Sequence, residues 1–97
     1  MDDDPRSRNE RRQARKAGEL DTTAFLKLAD RFIDLANREN ESVQAMHLHM
    51  AFLFASSRYS AHVARNVLNV DDHERFVEDM LKSYAEMLRN NLADPGV

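Results

Sequence analysis

Residues 45–64 read AMHLHMAFLFASSRYSAHVA, and Arg58 is the only formally charged residue among them. Met50 to Ala55 is an unbroken apolar run of six residues. No glycine or proline interrupts the stretch, and its apolar residues do not alternate as a half-buried strand requires. Wound at 3.6 residues per turn, Met46, Leu48, Met50, Phe52, Leu53 and Phe54 point to several sides of a helix. A helix that is apolar most of the way round is expected to be buried most of the way round. Ala51, Ala55, Ser56, Ser57, Ser60, Ala61 and Ala64 are small, so a neighbouring helix can approach closely. The helix is predicted from about Val43 to Leu68, with Ser42 as its cap and Asn69 ending it. Its length is then ~39 Å at about 1.5 Å per residue.

The flanking segments complete the pattern. Phe25, Leu28, Ala29, Phe32 and Ala36 recur at spacings of three and four, with Leu26, Ile33 and Leu35 widening the stripe. This predicts a helix over 22–39, capped by Asp21 or Thr22, with Asn40 as a left-handed terminator. Val77, Leu81, Tyr84 and Leu88 alternate four and three, with Phe76, Met80, Met87 and Leu92 beside them. They predict a helix over 72–92, with Asp71 as cap and Glu74 three residues later as in a capping box. The links at 40–42 and 69–71 are short, which makes neighbouring helices antiparallel. The expected fold is all-α: an antiparallel three-helix bundle over residues 21–97, completed by self-association, preceded by a mobile arm over residues 1–20.

Bulk composition narrows the function classes. The chain has 97 residues, 42% hydrophobic and 32% charged, with two Gly, two Pro and no Cys. One domain at most fits this length. A disulfide scaffold and a thiolate metal site are excluded. Net charge is −3, but it is unevenly spread. Residues 1–20 hold six basic and five acidic side chains, whereas residues 21–97 hold eight basic and twelve acidic ones. The acidic body attracts neither nucleic acid nor an anionic membrane. Only Arg6, Arg8, Arg11, Arg12, Arg15 and Lys16 form a window that does so. An acidic start and the lack of a long apolar run argue against a secretory signal or a membrane span. The expected location is the cytoplasm.

The segment Leu28-Ala29-Asp30-Arg31-Phe32-Ile33-Asp34-Leu35-Ala36-Asn37 resembles the A-D-x-F-I-x-L-A-N first helix of a bacterial family of small all-helical domains of unknown function. Ala55-Ser56-Ser57-Arg58-Tyr59-Ser60-Ala61 resembles the A-A-R-[FY]-[NS]-A centre of that family's second helix. Leu88-Arg89-Asn90-Asn91-Leu92 resembles the end of its third. The resemblance covers residues 22–95 and departs from the pattern at Ser56 and Ser57, where the family tends to have alanine. It implies a helical fold and no activity, so no catalytic residue is carried over.

The candidate site residues divide into three groups. Asp30, Asp34 and Asn37 share a face of the first helix, and Arg58 is the lone charge in the second. A buried guanidinium needs a partner, because its desolvation alone costs several kcal/mol. Asp30 or Asp34 is therefore expected to pair with Arg58, with Tyr59 beside them, as an architectural cluster. The same residues lining a closed polar cavity would instead make a small-ligand site. Met46, Met50, Leu53 and Phe54 offer more large apolar surface than two neighbouring helices cover, which points to an interface with a second copy or another protein. The arginine-rich arm gives the alternative reading, a nucleic-acid-associated accessory protein, although no aromatic residue in it can stack on bases.

Metal, cofactor and catalysis are not expected. His47 and His49 are two residues apart, about 200° around a helix, and cannot chelate one ion together. His62 has no glutamate three residues before it. Ser56, Ser57 and Ser60 lack a nucleophile elbow or a neighbouring base, and hydroxyls on a helix usually bond the preceding turn. The overall expectation is a non-enzymatic interaction module, a homodimer through the second and third helices.

Overall fold

The computed structural model describes residues 20–97. Three helices and no strand occur among them: α1 Thr22–Glu39, α2 Ala45–Asn66 and α3 His73–Ala93. The chain divides into two compact units at Met50/Ala51, so α1 and α2 up to Met50 belong to one unit. The rest of α2 belongs with α3 in the other. The expected arm, with Arg6, Arg8, Arg11, Arg12, Arg15 and Lys16, lies outside the described residues apart from exposed Leu20.

α1 spans the residues expected of it. Asp21 is its cap, in extended conformation, and its Oδ1 accepts from the Ala24 N–H at 2.8 Å. That bond satisfies one of the first-turn amides and is worth about 1 kcal/mol. At the other end Asn40 is right-handed (φ −64°), not left-handed as expected. The reason is that the chain keeps winding. The Asn40 N–H bonds the Ala36 carbonyl, and the Ser42 and Val43 N–H groups both bond that of Glu39. These bonds satisfy the last carbonyls without a reversal.

Ser42 is consequently spent on α1. Its Oγ donates to the Glu39 carbonyl at 3.5 Å rather than capping α2. α2 starts two residues later than predicted, with the Gln44 carbonyl accepting from the His47 and Leu48 N–H groups. It also ends two residues earlier, at Asn66. The last turn widens there. The Leu68 N–H reaches five residues back to Val63, and the Val70 N–H reaches six back to Ala64, at 2.9 Å each. Asn69 makes the reversal, with φ 52°, the one positive φ outside glycine among the described residues. Asparagine tolerates this conformation better than other side chains do.

α3 begins one residue later than expected because Asp72, not Asp71, is the cap. Its Oδ1 accepts from the Arg75 N–H at 3.0 Å. Glu74 then falls one place short of the reciprocal capping-box position, but it still lies in the first turn, where a carboxylate complements the helix dipole. Asp94 closes the helix, its N–H bonding Asn91 and its Oδ1 accepting from the Gly96 N–H at 2.8 Å.

Burial is where the structure differs most from expectation. Ala64, 4% exposed, is the one buried residue among those described. It sits where the amide of Val70 returns to α2. Met46, Phe54 and Tyr59 stand 71%, 65% and 70% exposed, so α2 is not buried most of the way round. Periodicity identifies which faces are apolar; it does not say how many of them one chain covers.

The turn at Asn69 yields a direct test by urea unfolding. Asn69→Gly is expected to leave stability within a few tenths of a kcal/mol, whereas Asn69→Val loses about 1–2 kcal/mol through left-handed strain. Asp72→Ala loses about 1 kcal/mol with its cap. Equal stability of Asn69→Val and the parent protein would contradict the reversal at this residue.

Candidate functional site

Within residues 51–97, α2 and α3 wall an open cleft of about 310 Å³. From α2 it is lined by Leu53, Ser56, Ser57, Ser60 and Ala61. From α3 it is lined by Phe76, Val77, Met80, Leu81 and Tyr84. The contrast between the walls follows from the sequence. Small side chains recur on the α2 side, so the recess forms there. The four-three spacing of Val77, Leu81 and Tyr84 puts large side chains along one edge of α3.

The α2 wall is only nominally polar. Ser57 Oγ donates to the Phe54 carbonyl at 2.8 Å, the local bonding expected of a hydroxyl on a helix. That donation orients its proton along the helix, away from the cleft. The recess is therefore mostly apolar in what it offers a ligand: methyl groups, two aromatic rings, a thioether and branched aliphatic chains, beside the hydroxyls of Ser56, Ser60 and Tyr84.

The structure places the expected interface residues as follows. Leu53 lines the cleft, and Phe54 is exposed next to it. Met46 and Met50, in the other unit, stand one turn apart on α2, and both are exposed. The α3 wall was legible as a bundle seam in Val77, Leu81 and Tyr84. That Phe76 and Met80 complete it, and that Ser56, Ser57 and Ser60 face it, depends on the rotation of each helix. Spacing alone does not supply that rotation.

Asp30, Asp34 and Asn37 lie on α1, all exposed, and follow one another at helical spacing. Arg58 and Tyr59 lie on α2 and are also exposed. The expected pairing rested on burial of the Arg58 guanidinium. An exposed guanidinium carries no desolvation penalty, so that requirement falls away. Tyr59 instead packs its ring against His62, with centroids 5.9 Å apart and planes tilted by 34°. Asn66 Nδ2 donates to the His62 carbonyl at 3.1 Å and lies 3.2 Å from His62 Nδ1. The ion pair Arg75 Nε–Asp79 Oδ1, at 3.5 Å, is exposed and spans one turn of α3. Such pairs contribute only a few tenths of a kcal/mol. Among the described residues no group of three or more His, Asp or Glu side chains is placed to hold a metal ion.

Comparison with known proteins adds the family. A family model described as a protein of unknown function (DUF3144) matches residues 25–95. The chain belongs to that family. No curated protein and no solved structure matches it. The match covers all of α3 and α2 and nearly all of α1, and the whole cleft lies within it.

The chain has no tryptophan, so a single indole reports its own site. Tyr59 is 70% exposed and Tyr84 is 46% exposed. Tyr84→Trp is expected to emit further to the blue than Tyr59→Trp and to be quenched less by acrylamide. Equal emission and quenching would contradict the placement of Tyr84 in the cleft wall.

Proposed function

We propose that this DUF3144 protein is a non-enzymatic interaction module that self-associates through the apolar face of α2, with Leu53 at its centre. The observation that supports the reading is the continuity of exposed apolar surface. Within residues 51–97, Leu53 and Phe54 are uncovered on α2, and Leu53 carries that surface into an open apolar cleft; in the other unit Met46 and Met50 are exposed as well. Contiguous apolar surface of this kind marks interaction sites in proteins that work in water. Methionines adapt their shape to a partner, and aromatic side chains carry much of the energy of such contacts.

Two other uses of apolar surface fit less well. No described helix is long and apolar enough to cross a membrane. A small-molecule site draws its specificity from a few converging polar groups inside a closed pocket, whereas this cleft is open and Ser57 is bonded to its own helix. The reading places the protein in the cytoplasm, which suits a chain without cysteine. A second copy then completes the helical bundle that the short helix connections imply.

Sedimentation equilibrium of the full chain tests this. The mass is expected to rise with concentration from the 11.2 kDa of one chain toward twice that value. Leu53→Asp is expected to weaken association at least about tenfold, as burying an unpaired carboxylate requires, with helix content by circular dichroism unchanged. A wild-type mass that stays at one chain across the micromolar range would overturn the proposal.

A further inference from the structure

We infer that the α2–α3 cleft is occupied by the same cleft of a second copy, with α2 of each copy lying against α3 of the other about a two-fold axis that runs along the cleft. This rests on the self-association reading and names its site, its symmetry and the charges that select it. Three features of residues 51–97 carry it.

The first is area. Leu53, Phe54, Val77, Met80, Leu81 and Tyr84 each leave roughly half of their surface in water. With full areas of roughly 150–250 Å² apiece they offer at most on the order of 600 Å² per copy, Phe54 beside the cleft included, and only with the charged rims does the contact approach the ~800 Å² per partner of a standard interface. The second is shape. Serine and alanine line the α2 wall, which lets a partner helix settle at the usual axis separation of about 8–10 Å. Two helix pairs packed face to face then make a four-helix arrangement with one apolar core.

The third is charge. α2 carries Arg58 and Arg65 and no Asp or Glu. The two arginines stand three before and four after Ala61, so they border the cleft on its α2 side. On α3, Glu74 and Glu78 stand seven and three before Leu81, so they border it on the other side. Within residues 51–97 none of these four makes an ion pair; the pair there is Arg75–Asp79. The turn over 67–72 joins the end of α2 to the start of α3, so Arg65 and Glu74 lie at that end of the cleft, and Arg58 and Glu78 lie further along it. A two-fold axis along the cleft keeps each residue at its own height. It brings the cationic rim of α2 to the acidic rim of the partner's α3, twice. The other two-fold arrangement, with its axis across the helices, pairs α2 with α2; it sets Arg58 against Arg58 and carries Arg65 and Glu74 to opposite ends, where neither meets an opposite charge. Opposite charges meet only in the first arrangement, and that decides between the two.

The test exchanges charges in the full chain. One variant carries Arg58→Glu and Arg65→Glu; a second carries Glu74→Arg and Glu78→Arg. Each alone then sets like charge against like, whereas a mixture of the two restores opposite charge at both contacts. Each variant alone is expected to associate at least tenfold more weakly than wild type, and an equimolar mixture is expected to recover the wild-type sedimenting mass. Loss of association in both variants without recovery on mixing would overturn the inferred pairing. Variants that dimerise as wild type does would place the interface elsewhere and overturn this site, while leaving self-association standing. A wild-type chain that never dimerises would overturn both. Because the chain has no cysteine, cross-linking gives a second reading with less disturbance of the fold. Arg58→Cys and Glu78→Cys chains, mixed and treated with a short bis-maleimide, are expected to give a covalent dimer in high yield. Equal or higher yield from either chain alone would contradict the pairing of α2 with the partner's α3.

Discussion

A helix of about twenty residues in water gains most of its stability from covering an apolar face, because its backbone bonds alone leave it marginal. That constraint governs this protein. Its three helices carry well-formed apolar stripes, and among the described residues one alanine is buried. Ala64 is held where the chain reverses through Asn69 and the Val70 amide returns to its carbonyl. This turn is what sets α2 and α3 on either side of a cleft. Within residues 51–97, apolar surface from Phe54 on α2 to Leu81 on α3 is exposed. The proposed self-association covers it with a second copy, which brings the same need and the same surface.

How much of this was legible in the sequence depends on what kind of interaction decided each feature. The helices were legible because the stripes at Phe25–Ala36 and Val77–Leu88 repeat at helical spacing over several turns. The cap of α1 was legible to within one residue, as Asp21 or Thr22, because both stand just before the stripe that starts at Phe25. The ends of α2 were not, since competing local bonds settle them. Ser42 bonds back to Glu39 and so leaves α2 to start later. The widened turn from Val63 to Val70 takes Val67 and Leu68 out of the helix. Asp71 and Asp72 are adjacent and chemically alike, so choosing between them as the cap of α3 depends on a single residue of register.

The site was legible only in part, for a different reason. Leu53 and Phe54 stood out because the run around them has more large apolar side chains than one helix face can use. The small residues at 56, 57, 60 and 61 were read as permitting close helix approach, and in the structure they line the cleft where such approach is possible. An isolated charge in an apolar run suggests a buried ion pair; the Arg58 side chain is exposed, so burial does not require a partner for it. Its bearing on function comes from the absence of any carboxylate on α2, a property of the whole helix rather than of one residue. The arginine-rich window at 6–16 remains a feature of sequence alone.

The central claim is that cleft surface exposed in one chain is covered by another. Amide hydrogen exchange followed by mass spectrometry as a function of protein concentration tests it without changing a residue. Protection over 53–66 and 76–84 is expected to rise as concentration increases, with the exposed turn at 40–44 unchanged, because coverage of the cleft stabilises the helices that wall it. Exchange in those two segments that is independent of concentration would contradict the account.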